Sequence, residues 1–366
     1  RLWPVLFCCQ VHCFVRRLLL SIYIATYNRK EILLEKIEKI LKIKSDKFNI
    51  YVMDDASNDG TVDSLKEIND ERLHIILNKS RMGLQKDGVM QNWYRLLEAC
   101  DGLFAFHLND RDYIDPDGIK ELLVFLEDNP TMNGGVCDIR LGKKYKILYT
   151  VKSAFMKIPY FARHPTGIIF NMDVYHTIKE RQSLFTTEKA NIHPHDLILA
   201  RISENGKMFR FYKIWNYPDT ESFRNNRSFL YKKGTMRNAW FSPYERVKEF
   251  SLFVRDITKK SFSNNLKNKK VKQIAFQYLF YCTFNYSFYV SDQGQTAHYG
   301  IDPMLLSCDD LIKIRNWYIL NSYRVFIYNK LRVNKLMYSF EIKILFWIIY
   351  YAKPVWDKIK KLHFIK

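Results

Sequence analysis

The first half of the chain alternates between short apolar runs and longer segments whose apolar residues recur every three or four positions. Residues 18–25 are apolar and β-rich, which predicts a buried strand. Residues 31–44 carry Ile32, Leu33, Ile37, Ile40 and Leu41 at helical spacing. A second strand is expected over 48–53, a helix over about 62–68, a strand over 73–77, a helix over about 89–100 and a strand over 103–108. Strands alternating with helices at this spacing predict an α/β fold with a doubly wound, mostly parallel sheet. A helix follows over about 118–128, and residues 131–161 read as basic, aromatic and irregular. From Asn238 onward the pattern is mainly helical, with Phe250, Phe253, Val254 and Ile257 on one face.

Two of the expected strands end in paired acids: Asp54 with Asp55, and Asp110 with Asp112. In open α/β sheets ligands bind beyond the carboxyl ends of the strands, so both pairs should open on one edge. A hard divalent cation takes oxygen ligands, commonly one or two carboxylates completed by substrate phosphates. Asp110-Arg111-Asp112 fits that use. It also fits an acidic turn capping the helix near Asp117, because Asp and Pro favour such junctions. No G-x-G-x-x-G follows the first strand and no G-x-x-x-x-G-K-[ST] occurs, so neither a Rossmann NAD site nor a P-loop is supported.

Composition narrows the class. Hydrophobic content of 48% with 13 Gly and 10 Pro is that of a globular protein without low-complexity segments. The seven cysteines form no C-x-x-C or zinc spacing, which fits a reducing compartment. The formal charge of +20 is uneven: residues 222–366 hold 26 Lys/Arg and 9 Asp/Glu. A negatively charged partner is therefore expected for the C-terminal part. Residues 1–17 are apolar but shorter than a membrane span, and their charges follow the apolar run. They read either as a monotopic anchor or as sequence upstream of the functional start; the second reading is favoured, and no function is assigned to them.

Four motifs in order carry a resemblance. They are Ser21-Ile22-Tyr23-Ile24-Ala25-Thr26-Tyr27-Asn28-Arg29, Val52-Met53-Asp54-Asp55-Ala56-Ser57-Asn58-Asp59-Gly60-Thr61, Asn78 to Gly83 with Asn92 beyond, and Asn109-Asp110-Arg111-Asp112-Tyr113-Ile114-Asp115-Pro116. Together they resemble the signatures of family 2 glycosyltransferases, over residues 18–130 and more loosely to 224. The resemblance implies a GT-A fold, a nucleotide-sugar donor (a UDP-sugar foremost) and Mn²⁺ or Mg²⁺. It places Thr26, Tyr27, Asn28 and Glu31 at the nucleotide pocket, Asp54 and Asp55 on base and ribose, and Arg81 near base or diphosphate. Ser57, Asp59 and Gly60 are expected to shape the turn, and Asn92 to bond to backbone from within its helix. The family's Asp-Ser-Asp-Asp, aligned without gaps, puts its first and third positions on Asn109 and Arg111. Read as Asp110-x-Asp112 the pair survives with a one-residue shift. Asp112 is then the better metal ligand and Asp110 faces ribose or metal; a salt bridge from either to Arg111 is the structural alternative.

By the same resemblance, the segment from His164 to Asn171 lies on the acceptor side, where Gly167 would let backbone approach a sugar. Asp196 stands where the family places its base, with His195 in the position of the usual Glu. A base there would take the proton of the attacking hydroxyl. Otherwise Asp196 is a first-turn carboxylate favoured by the helix dipole. Arg224 and Arg227 are candidates to approach the diphosphate.

The division expected is an apolar segment 1–17, a GT-A domain 18–224 and a basic, aromatic-rich helical region 225–366. Residues 342–355, followed by Lys358, Lys360 and Lys361, suit either an anionic membrane interface or a buried helix. The expected activity is inverting transfer, of hexosyl or N-acetylhexosaminyl type, to a glycan or lipid-linked acceptor. The expected setting is bacterial surface polysaccharide synthesis, in the cytoplasm or peripheral on the inner membrane face. The rival readings are an inactive GT-A domain serving as a membrane- or glycan-binding module, and a nucleic-acid binder driven by the basic tail. No nucleic-acid motif is present, so no nucleic-acid partner is expected.

Overall fold

The computed structural model of the chain describes residues 18–139, 146–161, 164–216, 239–297 and 299–363. Arg224, Arg227 and residues 1–17 lie outside them. The chain begins β1 (Leu20–Thr26), α1 (Lys30–Leu41), β2 (Phe48–Asp54), α2 (Thr61–Lys66), β3 (Leu73–Leu77), α3 (Gly88–Ala99) and β4 (Phe104–His107). These are the predicted strands and helices, with ends displaced by up to three residues. There follow β5 (Tyr113–Ile114), α4 (Pro116–Asp128), β6 (Gly134–Ile139), β7 (Ile147–Tyr149), α5 (Val151–Lys157), β8 (Ile168–Asn171), α6 (Met172–His176), α7 (Pro194–Ile202), β9 (Met208–Tyr212) and β10 (Trp215–Asn216). The expectation of an irregular stretch over 131–161 is thus corrected. Two strands and a helix form there, and the strand signal is weak because β6 opens on Gly134-Gly135 and β7 spans three residues.

Eight strands make one sheet in the order β3-β2-β1-β4-β8-β6-β9-β7, and β5 pairs with β10 beside it. β1 through β4 are mutually parallel, with Thr26 opposite Asp54, Asp54 opposite Leu77 and Tyr23 opposite His107. β8 runs antiparallel between β4 and β6. Its entry, not its exit, therefore lies at the edge where β1, β2 and β4 end, and the Gly167 amide donates to the His107 carbonyl at 2.9 Å.

Strand side chains alternate between two faces. Leu20, Ile22 and Ile24 pack on one side with Leu33, Ile37 and Ile40 of α1 and with Ile119, Leu122 and Leu126 of α4. On the other side Tyr23, Met53 and Ala105 meet Leu96 and Leu97 of α3 and Ile198 and Ile202 of α7. This second core continues without interruption into the C-terminal helices α8 (Pro243–Thr258), α9 (Asn264–Phe280), α12 (Cys308–Tyr328) and α13 (Lys335–His363), while the short α10 (Tyr286–Ser291), followed by α11 (Gln293–Ala297), packs in a separate small cluster with Phe241 and Tyr299.

Buried polar groups tie the same layers together. Glu249 of α8 accepts from Arg246 at 3.1 Å and Tyr278 at 2.8 Å, and lies 2.6 Å from His193 at the head of α7. Burial opposes its charge, but His193 and Arg246 hold its carboxyl below the ordinary range. Asp256, also on α8, accepts from Arg201 of α7 at 2.7 Å and from Tyr160 at 2.6 Å.

Candidate active site at the strand ends

β1 ends in Thr26, buried, with Tyr27 and Asn28 turning the chain toward α1. Asn28 takes a left-handed φ of 48° and exchanges hydrogen bonds with Asn58: its amide donates to Asn58 Oδ1 at 2.8 Å and its oxygen accepts the Asn58 N–H at 2.9 Å. Ser57 Oγ accepts the Asn28 N–H, and Asp59 accepts from Lys30 and Thr61 backbone. With Gly60 in left-handed geometry at the start of α2, these residues shape the turn as expected. Glu31 sits exposed in the first turn of α1.

The two acids ending β2 have different surroundings. Asp55 is spent on structure: Oδ1 accepts from Asn78 (2.8 Å), the Met82 N–H (2.9 Å) and Asn92 (3.0 Å), and Oδ2 from the Gly83 N–H (2.9 Å). Asn92 therefore bonds to side chains, correcting the expected backbone bond. The loop that Asp55 organises carries Arg81 over the Tyr27 ring, with its guanidinium 3.8 Å from the centroid. Asp54 lies the other way. Its Oδ1 accepts the Ser57 N–H at 2.8 Å, while its buried Oδ2 has no hydrogen-bond partner among the described residues. Burial raises the Asp54 pKa.

Beyond β4 the two candidate metal ligands also diverge. Asp110 does not pair with Arg111. It turns to the residue that caps α1, Arg29, whose Nη1 lies 2.6 and 2.7 Å from its two oxygens, both side chains being buried. Lys36, a lysine within the apolar stripe of α1, donates to the Asn109 carbonyl at 2.8 Å. Burial works against a charge on Asp110, but Arg29 and Lys36 outweigh it and hold the carboxyl below its usual range. The same burial pulls Lys36 down to about 8.

Asp112 is fully buried. Its Oδ2 accepts from the Thr166 hydroxyl and lies 3.5 Å from His164 Nδ1, while Oδ1 has no partner among the described residues. Burial pushes its pKa up to about 6. Thr166 in turn accepts the Asn109 N–H at 3.0 Å. Gly167, with φ of +91°, lets the chain pass beneath Trp215: a Cβ there would lie 2.5 Å from Trp215 Nε1. Its lack of a side chain serves packing, where the sequence suggested approach to a sugar.

A buried line of side chains joins Asp112 to α7. His195 Nε2 lies 3.1 Å from His107 Nδ1, His107 Nε2 lies 3.0 Å from Asn109 Oδ1, and Asn109 Nδ2 lies 3.1 Å from His164 Nε2. With the amide oriented that way the tautomers follow. His195 donates to His107, His107 to the Asn109 oxygen, and Asn109 to His164, whose Nδ1–H then faces Asp112. Rings close the line, with Trp93 edge-on to both His107 and His195 and His164 stacked on Trp215. Burial lowers His107 and His164 to about 3 and His195 well below its usual value.

The pH sign follows. Between pH 6.5 and the depressed folded values the unfolded chain binds more protons, so stability present above 6.5 is lost as pH falls. One fully neutral histidine contributes about 1.4 kcal/mol per pH unit in that window. Asp112 acts oppositely below pH 6, but three histidines outweigh one carboxyl. Melting curves between pH 7.5 and 5 are expected to shift down by several degrees, and His195→Phe should remove part of that slope. A flat profile above pH 5 would contradict neutral buried imidazoles.

Asp196 occupies the first turn of α7, next to His195, and is 1% exposed. One oxygen accepts the Phe161 N–H at 3.2 Å, and the Phe161 carbonyl accepts from Gln277 and Tyr281 of the helical region.

The strand edge thus brings together Thr26, Asp54, Asp110 and Asp112, with Tyr27 and Arg81 clamped beside them. Cavities of about 440 and 360 Å³ open elsewhere, around Ser45 and Arg72 and beside Asn78 and Gln85. Sequence reasoning missed Thr166, Lys36 and His107. A lysine within an apolar helical stripe and a histidine ending an apolar strand were the available signals.

The donor set can be tested against a divalent cation. Among the described residues no three of His, Cys, Asp and Glu converge on one position. The charge of Asp110 is already balanced by Arg29. Asp112 fits as a single-carboxylate ligand through its unpartnered Oδ1, with phosphate oxygens left to complete the shell.

The family described as Glycosyl transferase family 2 matches residues 21–184. An "Uncharacterized glycosyltransferase" of Haemophilus influenzae is 27% identical over 134 residues, 36% of this chain and 40% of that protein, so the chain spans about two fifths of the relative's length. The crystal structure of S. aureus TarS 1-349 superposes with a TM-score of 0.53 at 14% identity, covering 84% of this chain and 82% of that one. The same fragment in complex with UDP-GlcNAc gives 0.53 at 15% identity with the same coverage. These likenesses to solved structures are likenesses of fold: a GT-A-like, mostly parallel sheet with flanking helices. With every strand-end motif described above inside the matched segment, residues 21–184 form a glycosyl transferase family 2 domain.

Proposed function

We propose that the chain is an inverting glycosyltransferase moving a sugar from a nucleoside-diphosphate donor to a hydroxyl of a glycan or lipid-linked acceptor. The observation that carries this reading is a set of three buried oxygens without partners among the described residues: Thr26 Oγ1, Asp54 Oδ2 and Asp112 Oδ1. Thr26 and Asp54 end two neighbouring strands of a family 2 domain and Asp112 lies in the segment that follows the third, β4, and buried polar atoms left unpaired call for a ligand. Asp54 and Thr26 receive the nucleoside, and the Tyr27–Arg81 pair flanks it. Asp112 faces the diphosphate. A divalent cation, Mn²⁺ or Mg²⁺, bound through Asp112 Oδ1 would offset charge on the departing diphosphate. Asp196 is assigned as the base, supported by its place at the head of α7, whose His195 reaches His107. A UDP-sugar of hexose or N-acetylhexosamine type is favoured, since the TarS fragment was solved with UDP-GlcNAc. The setting proposed is surface polysaccharide synthesis at the inner face of a bacterial membrane.

A second reading, an inactive donor- or glycan-binding module, is favoured by the charge-balanced Asp110 and the burial of Asp196. A panel of UDP- and GDP-sugars, with and without Mn²⁺, separates the two. Transfer predicts that one donor raises the melting temperature by several degrees and is turned over to nucleoside diphosphate. Stabilisation without turnover on any acceptor would select the module, and no shift with any donor would overturn the nucleotide-sugar reading.

A further inference from the structure

α13 has apolar residues on two faces, and one of them is bare. Tyr338, Ile342 and Phe346 are buried in the helical layer, Phe346 beneath the Arg315 guanidinium. Leu336, Met337, Phe340, Ile344, Ile348 and Tyr351 are all exposed, Leu336 at 81% and Tyr351 at 70%. At 3.6 residues per turn these six, with half-buried Trp347 between them, fall within an arc of about 120° over roughly four turns. Glu341 and Lys343 lie at its margins, so from Leu336 to Tyr351 the arc contains no charged residue. Apolar surface of this extent, aligned along one helix, marks an interaction face. The preceding helix α12 ends in exposed Ile327 and Tyr328. Lys353, Lys358, Lys360 and Lys361 follow the arc along the same helix.

We propose that this bare face of α13 is a membrane-interface surface that seats the chain on an anionic phospholipid bilayer. Among the described residues no helix is long and apolar enough to cross a membrane, so the helix lies along the surface. Trp347 and Tyr351 suit the headgroup boundary, and Phe340, Ile344 and Ile348 reach the acyl region. The charge of the occupant follows from the basic excess of residues 222–366, 26 Lys/Arg against 9 Asp/Glu, with four lysines continuing the helix that carries the arc. A second copy of the chain would bring that excess against itself. The inference rests on the membrane-face setting proposed above and gives it a surface. It does not depend on catalysis.

The full chain is floated with vesicles of phosphatidylglycerol and phosphatidylcholine, and with phosphatidylcholine alone. Binding to the anionic vesicles is expected, falling but persisting in 0.5 M salt, and weakening at least tenfold in Phe340→Ser/Ile344→Ser/Ile348→Ser. Because these side chains are exposed, the variant should melt no lower than the parent, and donor binding should be unchanged. Failure of the parent to float would overturn the proposal, as would equal binding by the variant, which would leave only general attraction to basic charge. Parental dimerisation lost in the variant, without vesicle binding, would assign the face to a second copy. Vesicle binding without sugar transfer would count against the transferase reading alone.

Discussion

Replacing Asp112 by Asn is expected to lower sugar transfer at least a hundredfold while raising the melting temperature measured in chelator at pH 7.5. The two effects have one origin. Asp112 is a buried carboxyl raised to about 6 because desolvation outweighs its bond from Thr166. At neutral pH it is held ionised against that cost, and the difference from an ordinary carboxyl near 3.8 corresponds to destabilisation of up to about 3 kcal/mol. Asn keeps the acceptor for Thr166 and removes the charge. The gain should be complete above pH 6 and vanish below about 3.8, where both residues are neutral. Transfer should fail because the unpartnered Oδ1, the atom available to a cation or to the charge of a donor complex, has become part of a neutral amide. Adding Mn²⁺ with UDP should stabilise the parent and not the variant. A variant that keeps full turnover, or that melts lower in chelator, would remove Asp112 from the centre of the site.

Arg29→Met is expected to have the largest effect on stability, about 3–5 kcal/mol, by leaving Asp110 buried without its guanidinium. Arg29 and Asp110 meet across 81 residues of sequence, with little solvent at either. Lys36 is near, but its ammonium already serves the Asn109 carbonyl and burial has lowered its pKa to about 8. The double variant Arg29→Met/Asp110→Leu should recover most of the loss, since a buried pair replaced by apolar groups is often near neutral. Chemical denaturation of the two single variants and the double closes the cycle. A double variant that is stable yet inactive would return Asp110 to the donor site, and one that is stable and active would confine it to structure.

The strand-ending acids were legible because a parallel sheet announces itself: each apolar run ends abruptly where the chain must leave the sheet. What each acid then does was not. Asp110 and Arg111 are adjacent in sequence, which made their pairing the natural alternative, yet the partner, Arg29, comes from the turn between β1 and α1. Asp54 and Asp55 look interchangeable as letters, but one is consumed by Asn78, Asn92 and the amides of Met82 and Gly83 while the other keeps a bare oxygen. Local pattern carries no information about which loop will fold back over which carboxylate. The histidine line is the extreme case, since His107, His164 and His195 come from a strand, a loop and a helix that only the finished fold brings together. The tail's helicity was readable from periodicity. That α8 and α9 share a core with α3 and α7 was not, because a helix face looks the same whatever covers it.

The reversed direction of β8 has a consequence for how the site comes into being. A chain that has assembled only β1 to β4 carries Asp112 still open to water, an ordinary carboxylate on a sheet edge. Thr166 stands 54 residues further on and reaches Asp112 only when β8 slots in antiparallel beside β4. That non-local closure is what dehydrates the acid, so its free-energy cost falls on the docking of β8 and not on the formation of the parallel half. The same event installs His164, and Gly167 passes beneath Trp215 once β10 pairs with β5. Substitutions that make β8 dock poorly would leave the parallel half folded with a solvated, uncommitted acid and, on the function proposed above, a molecule able to hold a donor before it is able to use one.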